Sequence, residues 1–367
     1  LTDESFNTSF EEAKFYALKG VTLADNTNNR QWQPRFYEKL GRMYANLMML
    51  DSATYFFDKA LNGYTIIKDN KGQATTYFKI GWVLKRKGKI KQAMEEDLKA
   101  MKIMEQLNDK NGIAGAMNRV SEDLFRQERF DEALEYAVKN IAFSKKNKLY
   151  EELSFAYRAA GDVKIAMASP SIALAYYDSA MLIMKQINAS IFTVLNIRND
   201  RANAIKRMGN YKEALAEYTA CLKKAEEVNY ENSIYVCLAN IGETNMMLGN
   251  YPEALKYQLK TVALQEKTHD LSNLTENYEH VSSIYEKMGD YVNALKYQKL
   301  SRKMRDSTAK IKSDIERSEL LTQFETEKKT DEDHDKMHGN IKNFDKIISR
   351  RLFSNDNELG AETISKE

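Results

Sequence analysis

The chain has 367 residues and only 3 Pro and 15 Gly, where average usage would give roughly 18 and 26. Pro breaks helices and Gly loosens them, so the shortage favours helix almost throughout and excludes collagen-like, Pro-rich and turn-dense β architectures. Lys and Arg total 55 against 53 Asp and Glu, a balance with no global pull toward nucleic acid or an anionic membrane.

No apolar run approaches the length of about 18 residues that a membrane helix needs. Cys221 and Cys237 are the only cysteines, too few for a disulfide framework, and they leave the redox compartment open. The chain opens on Leu1 rather than Met, as it would after signal-peptide removal or after trimming.

In chain order, alanine recurs at 13, 53, 93, 133, 173, 214, 254 and 294, a step of 40 with one of 41. A repeat of this length is the first thing to establish, because it decides the architecture. The run Gly88-Lys89-Ile90-Lys91-Gln92-Ala93-Met94 is echoed by Glu128-Arg129-Phe130-Asp131-Glu132-Ala133-Leu134. Closer copies follow as Gly209-Asn210-Tyr211-Lys212-Glu213-Ala214-Leu215, Gly249-Asn250-Tyr251-Pro252-Glu253-Ala254-Leu255 and Gly289-Asp290-Tyr291-Val292-Asn293-Ala294-Leu295. Twelve positions before the last seven alanines stands a second small residue: Gly41, Gly81, Ser121, Gly161, Ala202, Gly242 and Ser282. An aromatic follows three or four after most alanines, at Tyr16, Phe56, Tyr136, Tyr176, Tyr218, Tyr257 and Tyr297, one turn on and on the same helix face. Each unit is thus predicted to be two helices that approach closely at small residues. Gly closes the first helix, and Asn or Asp caps the second.

With this pattern the sequence resembles the tetratricopeptide repeat family over residues 1–305. The resemblance implies an all-α fold, a right-handed superhelical solenoid of antiparallel helix pairs, with one leading helix and seven pairs. The period exceeds the commonest one in that family, about 34 residues. The surplus is expected to lengthen both the helices and their connections at Leu107–Asn111, Asn147–Leu149, Asn188–Ser190, Val228–Glu231 and His269–Leu271.

By the same resemblance the first helix of each pair lines a concave groove. Groove-facing positions lie three before, one after and four to five after the small residue. Candidate binding residues are then Phe78, Trp82, Asn118, Arg126, Arg158, Asp162, Asn199, Asn203 and Arg207. Asn199 and Asn203 are i, i+4, and their amides offer donor and acceptor together, as an extended peptide backbone demands. The arginines suit a carboxylate on the same ligand, and Phe78 with Trp82 offers an apolar shelf. Internal ion pairs such as Arg158–Asp162 are the alternative use of these side chains. The Lys and Asn pairs of a chaperone-tail carboxylate clamp are replaced here by Glu38/Arg42 and Phe78/Trp82.

Ile311, Ile315, Leu321 and Phe324 put an apolar stripe on a polar segment, 306–330. It reads as the capping helix that a solenoid needs on its last face. Its Gln323-Phe324-Glu325-Thr326-Glu327-Lys328-Lys329 resembles the junction that follows the tetratricopeptide sensor in signalling proteins of Bacteroidetes-type bacteria. That resemblance implies the sensor or interaction part of a signal-transduction system, placed outside the inner membrane in the periplasm, with a cytoplasmic location as the alternative. In residues 331–367, Met337, Ile341, Phe344, Ile348 and Leu352 sketch a basic amphipathic helix, with a disordered tail as the other reading.

Catalytic signatures are absent: no Walker loop, G-x-G-x-x-G, H-E-x-x-H or G-x-S-x-G occurs. His334 and His338 have helical chelate spacing without a third fixed ligand, so no metal or cofactor is assigned. The two cysteines read as core thiols. The sequence therefore points to a non-catalytic protein- or peptide-binding scaffold, with no nucleic acid expected. A peptide-regulated response-regulator phosphatase and a purely structural assembly scaffold are the alternatives.

Overall fold

The computed structural model describes residues 31–268 and 273–306, together with 16, 17, 19–21, 23, 24 and 309. In chain order the helices are α1 (Gln33–Asn46), α2 (Leu50–Ile66), α3 (Asn70–Arg86), α4 (Ile90–Gln106), α5 (Lys110–Arg126), α6 (Phe130–Asn147) and α7 (Tyr150–Ala166). They continue as α8 (Pro170–Gln186), α9 (Ile191–Arg207), α10 (Tyr211–Glu227), α11 (Glu231–Met247), α12 (Tyr251–Thr268) and α13 (Leu274–Lys287), then α14 over 291–306. Described positions between 16 and 24 are helical, and no strand occurs among the described residues. Ala13, the expected connection at His269–Leu271, and the segments 306–330 and 331–367 lie outside the described residues, apart from 306 and 309.

The reversal between helices is the same at twelve described joints. Met48, Lys68, Gly88, Asn108, Glu128, Lys148, Ala168, Asn188, Gly209, Asn229, Gly249 and Gly289 all have positive φ. The next N–H then donates back into the helix just ended, as from Asp69 to the Tyr64 carbonyl at 2.9 Å and from Asn210 to the Ile205 carbonyl at 3.2 Å. This closure satisfies the last orphan carbonyls and turns the chain within a few residues. The same residue that makes the closure opens the next helix. Asp69 and Asp109 also cap it, accepting from Gly72 N at 2.8 Å and Gly112 N at 3.0 Å. Asn210, expected to cap α10, makes no side-chain cap bond.

Each repeat is thus two half-periods of about equal length. Most described connections between repeats are no longer than those within them; α4 and α5 are separated by Leu107, Asn108 and Asp109 alone. The expected lengthening is therefore not found at Leu107–Asn111, Asn147–Leu149 or Val228–Glu231, since the hydrogen-bonded reversal has no slack. The surplus sits in the helices, most of them 17 residues, or about 25 Å. Asn188–Ser190 belongs to a slightly longer joint, Ile187 to Ser190, between α8 and α9, and this joint absorbs the one irregular step of the comb.

The alanine comb is the core. Ala53, Ala93, Ala133, Ala173, Ala214 and Ala254 are fully buried. The small position of the first helix meets the residue four after the alanine. A Cβ on Gly41 would lie 2.5 Å from the Phe57 ring, and one on Gly161 would lie 2.6 Å from the Tyr177 ring. Where the small residue is Ser121, its hydroxyl donates to the carbonyl of Ala133 at 2.8 Å. The aromatic expectation thereby splits in two. Phe57, Tyr177 and Tyr218, four after the alanine, are buried. Phe56, Tyr136, Tyr176 and Tyr257, three after it, are half-buried on the flank, because three residues of helical rotation swing to the other side of the alanine face.

The chain divides into two compact units, Leu1–Leu264 and Gln265–Glu367. The first is a solenoid of antiparallel helix pairs. Within the second, Ser282 donates to the Ala294 carbonyl at 2.8 Å, the same contact that Ser121 makes. Tyr278 donates to Glu266 at 2.7 Å and Tyr285 stacks on Tyr297. No described helix is long and apolar enough to cross a membrane.

A non-glycine residue in the left-handed region costs on the order of 1 kcal/mol. Ala168 sits there at φ 53°, so Ala168→Gly should raise the melting temperature by about 1–3 °C. Gly209→Ala, at φ 84°, should lower it. Differential scanning calorimetry of both variants checks the opposite signs.

Candidate functional site

Because equivalent positions recur once per repeat, the first helices α3, α5 and α7 present one continuous face. A cavity of about 680 Å³ opens on it, lined by Trp82 and Arg86 of α3, Asn118, Arg119, Glu122 and Arg126 of α5, and Glu152 and Phe155 of α7.

The floor of this cavity is charged. Lys85 Nζ lies 3.0 Å from Asp97 Oδ2 and 2.8 Å from Asp123 Oδ1, with Glu122 at 3.9 Å. Both aspartates are fully buried. Apart from the ammonium, no donor among the described residues reaches their carboxylates. Gly81 makes room for this arrangement; a Cβ there would lie 2.8 Å from Asp97 Oδ1. Two carboxylates share one cation, and burial pushes the Asp123 carboxyl up to about 7, with Lys85 pulling against that and Asp97 adding to it.

On the rim, Arg126 pairs with Glu122 at 2.9 Å. Burial works to raise the Glu122 carboxyl, but Lys85, Arg126 and Arg119 together hold it below its ordinary range. Asn118 is a bridge: its amide donates to Glu152 Oε2 at 2.9 Å and accepts from Asn140 at 2.8 Å. Burial raises the Glu152 carboxyl. Arg86 lies over the Trp82 ring at 5.1 Å and Arg119 over the Phe78 ring at 4.8 Å. Neither guanidinium has a hydrogen-bond acceptor among the described residues.

Further along the same face, α7 and α9 bring Arg158, Asp162 and Asp200 together. Arg158 Nε pairs with Asp200 Oδ2 at 2.6 Å, not with Asp162. Asp162 accepts from the Tyr177 hydroxyl at 2.7 Å. Burial raises both the Asp162 and Asp200 carboxyls, and the negative charge of Asp200 raises Asp162 further.

The expected asparagine pair is not one site. Asn199 is 5 % exposed; its amide donates to Ser233 Oγ at 3.1 Å and accepts from the Cys237 thiol at 3.2 Å. It ties α9 to α11 and has no reach to a ligand. Asn203 is half-buried and holds no such bond, and Arg207 is exposed. Cys221 and Cys237 are free, fully buried thiols. Of the nine candidates, Trp82, Asn118 and Arg126 line the cavity, and Phe78 supports it through Arg119. Arg158, Asp162, Asn199, Asn203 and Arg207 do not line it. Arg119, Glu152 and Phe155 line it without being among the sequence candidates. A basic column two before the small residue (Lys39, Lys79, Arg119) was the available signal. Among the described residues no three His, Cys, Asp or Glu side chains gather as a metal site.

Residues 236–272 match the model of a tetratricopeptide repeat, and the helix-pair architecture of that stretch recurs along the described residues. No curated protein matches in sequence. Among solved structures, apo RapI is similar with a TM-score of 0.60 and 14% identity, over 76% of this chain and 99% of that one. The Rap conjugation gene regulator of plasmid pLS20, solved in complex with the Phr* peptide, is similar at 0.58 and 16%, over 78% of each chain. Aspartyl phosphate phosphatase F from Bacillus subtilis is similar at 0.60 and 13%, over 77% of this chain and 73% of that one. At these identities the likeness is one of fold.

The buried acids have a pH consequence. Asp123 holds its proton in the fold up to about 7, whereas the unfolded chain releases it near about 4. Between those values the folded state binds more protons, so stability falls as pH rises and levels off above the window. Asp162 acts in the same sense. The melting temperature should therefore decline between about pH 4 and pH 7, and Asp123→Asn should flatten that decline. Thermal melts across the range read both effects.

Proposed function

We propose that this tetratricopeptide array is a non-catalytic receptor, holding an extended peptide or a segment of a partner protein against α3, α5 and α7 as part of a signalling system. The observation that carries this reading is the pair Arg86 and Arg119. Each guanidinium is held on an aromatic ring beside a sizeable cavity, with its donors unused. Most neighbouring charges already have partners, so this pair is what remains for a ligand. Nucleic acid is not the expected partner, because Glu122, Glu152 and the aspartates offset the local basic charge. The signalling role is supported by the junction that resembles Bacteroidetes-type sensors. The peptide-bound Rap regulator, similar in fold, lends support in the same direction.

A second reading, a response-regulator phosphatase, has the fold likeness to aspartyl phosphate phosphatase F in its favour. Against it, the acids that face this cavity are hydrogen-bonded, ion-paired or buried in structural clusters, so none of them stands free as a base.

Interfaces concentrate binding energy in Trp and Arg anchors. Trp82→Ala combined with Arg119→Glu should weaken capture of the native partner at least about tenfold, while Lys139→Gln, on the other helix layer, leaves it unchanged. Undiminished capture by the double variant, with an unchanged melt, would remove the groove from the function. Incubation with a phosphorylated response regulator should leave the phosphoryl half-life unaltered; acceleration would establish the phosphatase reading instead.

A further inference from the structure

The cations on the face of α3 and α5 are not equivalent, and their differences specify a ligand. Lys85 is committed to Asp97 and Asp123 in the floor. Arg126 is committed to Glu122. Glu122 and Glu152 feel the charge of Arg119 without bonding to it. Arg86 and Arg119 have aromatic faces beneath them. The ring contact holds each guanidinium in place without using its N–H donors.

Their placement is also joint. Phe78 and Trp82 stand i, i+4 on α3, about 5–6 Å apart at Cβ. Arg86 from α3 and Arg119 from α5 are each drawn to one of these rings, and both line the same cavity. Two guanidinium groups without acceptors on one cavity suit an anion there, to which each can give paired N–H···O bonds.

The next stretch of the face has the opposite balance. At α7 and α9, Arg158 faces two carboxylates, Asp162 and Asp200. Tyr177 satisfies one oxygen of Asp162. Another negative charge placed there meets repulsion, whereas a neutral or basic group does not.

We propose that the segment bound in this groove carries an acidic residue seated between Arg86 and Arg119, and that it continues over α7 and α9 with neutral or basic residues only. The inference rests on the groove reading given under Proposed function and adds the charge order of its ligand. Arg86 and Arg119 are then specificity-determining, and Trp82 and Phe78 act as positioning residues through them. Asp162 and Asp200 reject an all-acidic sequence.

The test is selection from a random dodecapeptide display library on the full chain, repeated on Arg86→Gln/Arg119→Gln and on Trp82→Ala/Phe78→Ala. Wild-type selections should enrich Asp or Glu severalfold at one position and deplete them at positions to one side. The double arginine variant should still yield binders but without the acidic preference. A selected peptide with that Glu changed to Gln should lose at least about tenfold in affinity for the wild type and nothing for the arginine variant. Replacing the same Glu by phosphoserine separates the two sources of anion: retained binding extends the site to phosphate, and lost binding limits it to carboxylate. Binders with no acidic preference, or with acids spread evenly, overturn the charge order and leave the groove reading standing. Failure to enrich any peptide, or enrichment that the aromatic variant leaves untouched, overturns both. Far-UV melts of the variants establish that they fold, the aromatic pair being the stricter case because Trp82 and Phe78 pack against the core.

Discussion

The solenoid depends on how the chain reverses direction. At the described joints each helix ends in one left-handed residue, and the next N–H closes onto the helix just completed. Because the closure also begins the following helix, the joint has almost no freedom in length. Helix lengths are then bound to one another, and side chains fall into columns that recur once per repeat. A longer or looser joint would let each pair rotate against the next. The columns would blur, and with them the apolar comb and the groove. The strain of placing Met48, Lys68, Glu128, Lys148 and Ala168 in a backbone region that favours glycine is the cost of that register. It persists because the packing of both helices holds each joint in place.

The contact between layers has a second consequence. The residue four after each alanine presses into the small residue of the first helix, and its nature varies along the array: Phe57, Asp97, Ala137, Tyr177, Tyr218, Gln258. Where it is aromatic, the contact buries a ring, and the Tyr177 hydroxyl also donates to Asp162. Where it is Asp97, a charge enters the core and needs a cation, which Lys85 supplies from the face above. Asp123 shares the same ammonium. Buried ion pairs gain little net stability, and an unpaired partner costs several kcal/mol, on the order of 3–5 kcal/mol. The value of this cluster lies in what it fixes: Lys85 is withdrawn from the groove surface and Arg86, the next residue, is left there.

This division explains what could be read from the chain beforehand. Period, helix pairing and the buried alanines were legible, because they depend on one column at a time and burial repeats with it. The left-handed joints at Met48 and Ala168 were visible only through the period, since neither residue type signals such a backbone. The site was legible as a face but not residue by residue. Asn199 and Asn203 occupy the same face at helical spacing, and nothing in the sequence separates them. Their fates differ because α11 brings Ser233 and Cys237 against Asn199 alone. Arg158 was a ligand candidate with an ion pair to Asp162 in its own helix as the alternative, but it pairs with Asp200 of α9 at 2.6 Å. Such partners come from the neighbouring repeat, far along the chain, and no local pattern records them.

A repeat protein with nearly equal numbers of acids and bases keeps its specificity in the exceptions to pairing. Along the first-helix face many charges meet partners in the following repeat: Lys71 meets Asp109, Arg158 meets Asp200, Lys206 meets Glu243. Each such pair ties two repeats together and removes two charges from the surface. A ligand sees what is left over. Arg86 and Arg119 are left over at one place because aromatic rings, rather than carboxylates, occupy the positions beneath them. Asp162 is left over at another because Arg158 is shared with Asp200. The same register that stacks the repeats thus decides which side chains remain for recognition, so stability and specificity are set by one periodicity and differ only in where it is broken.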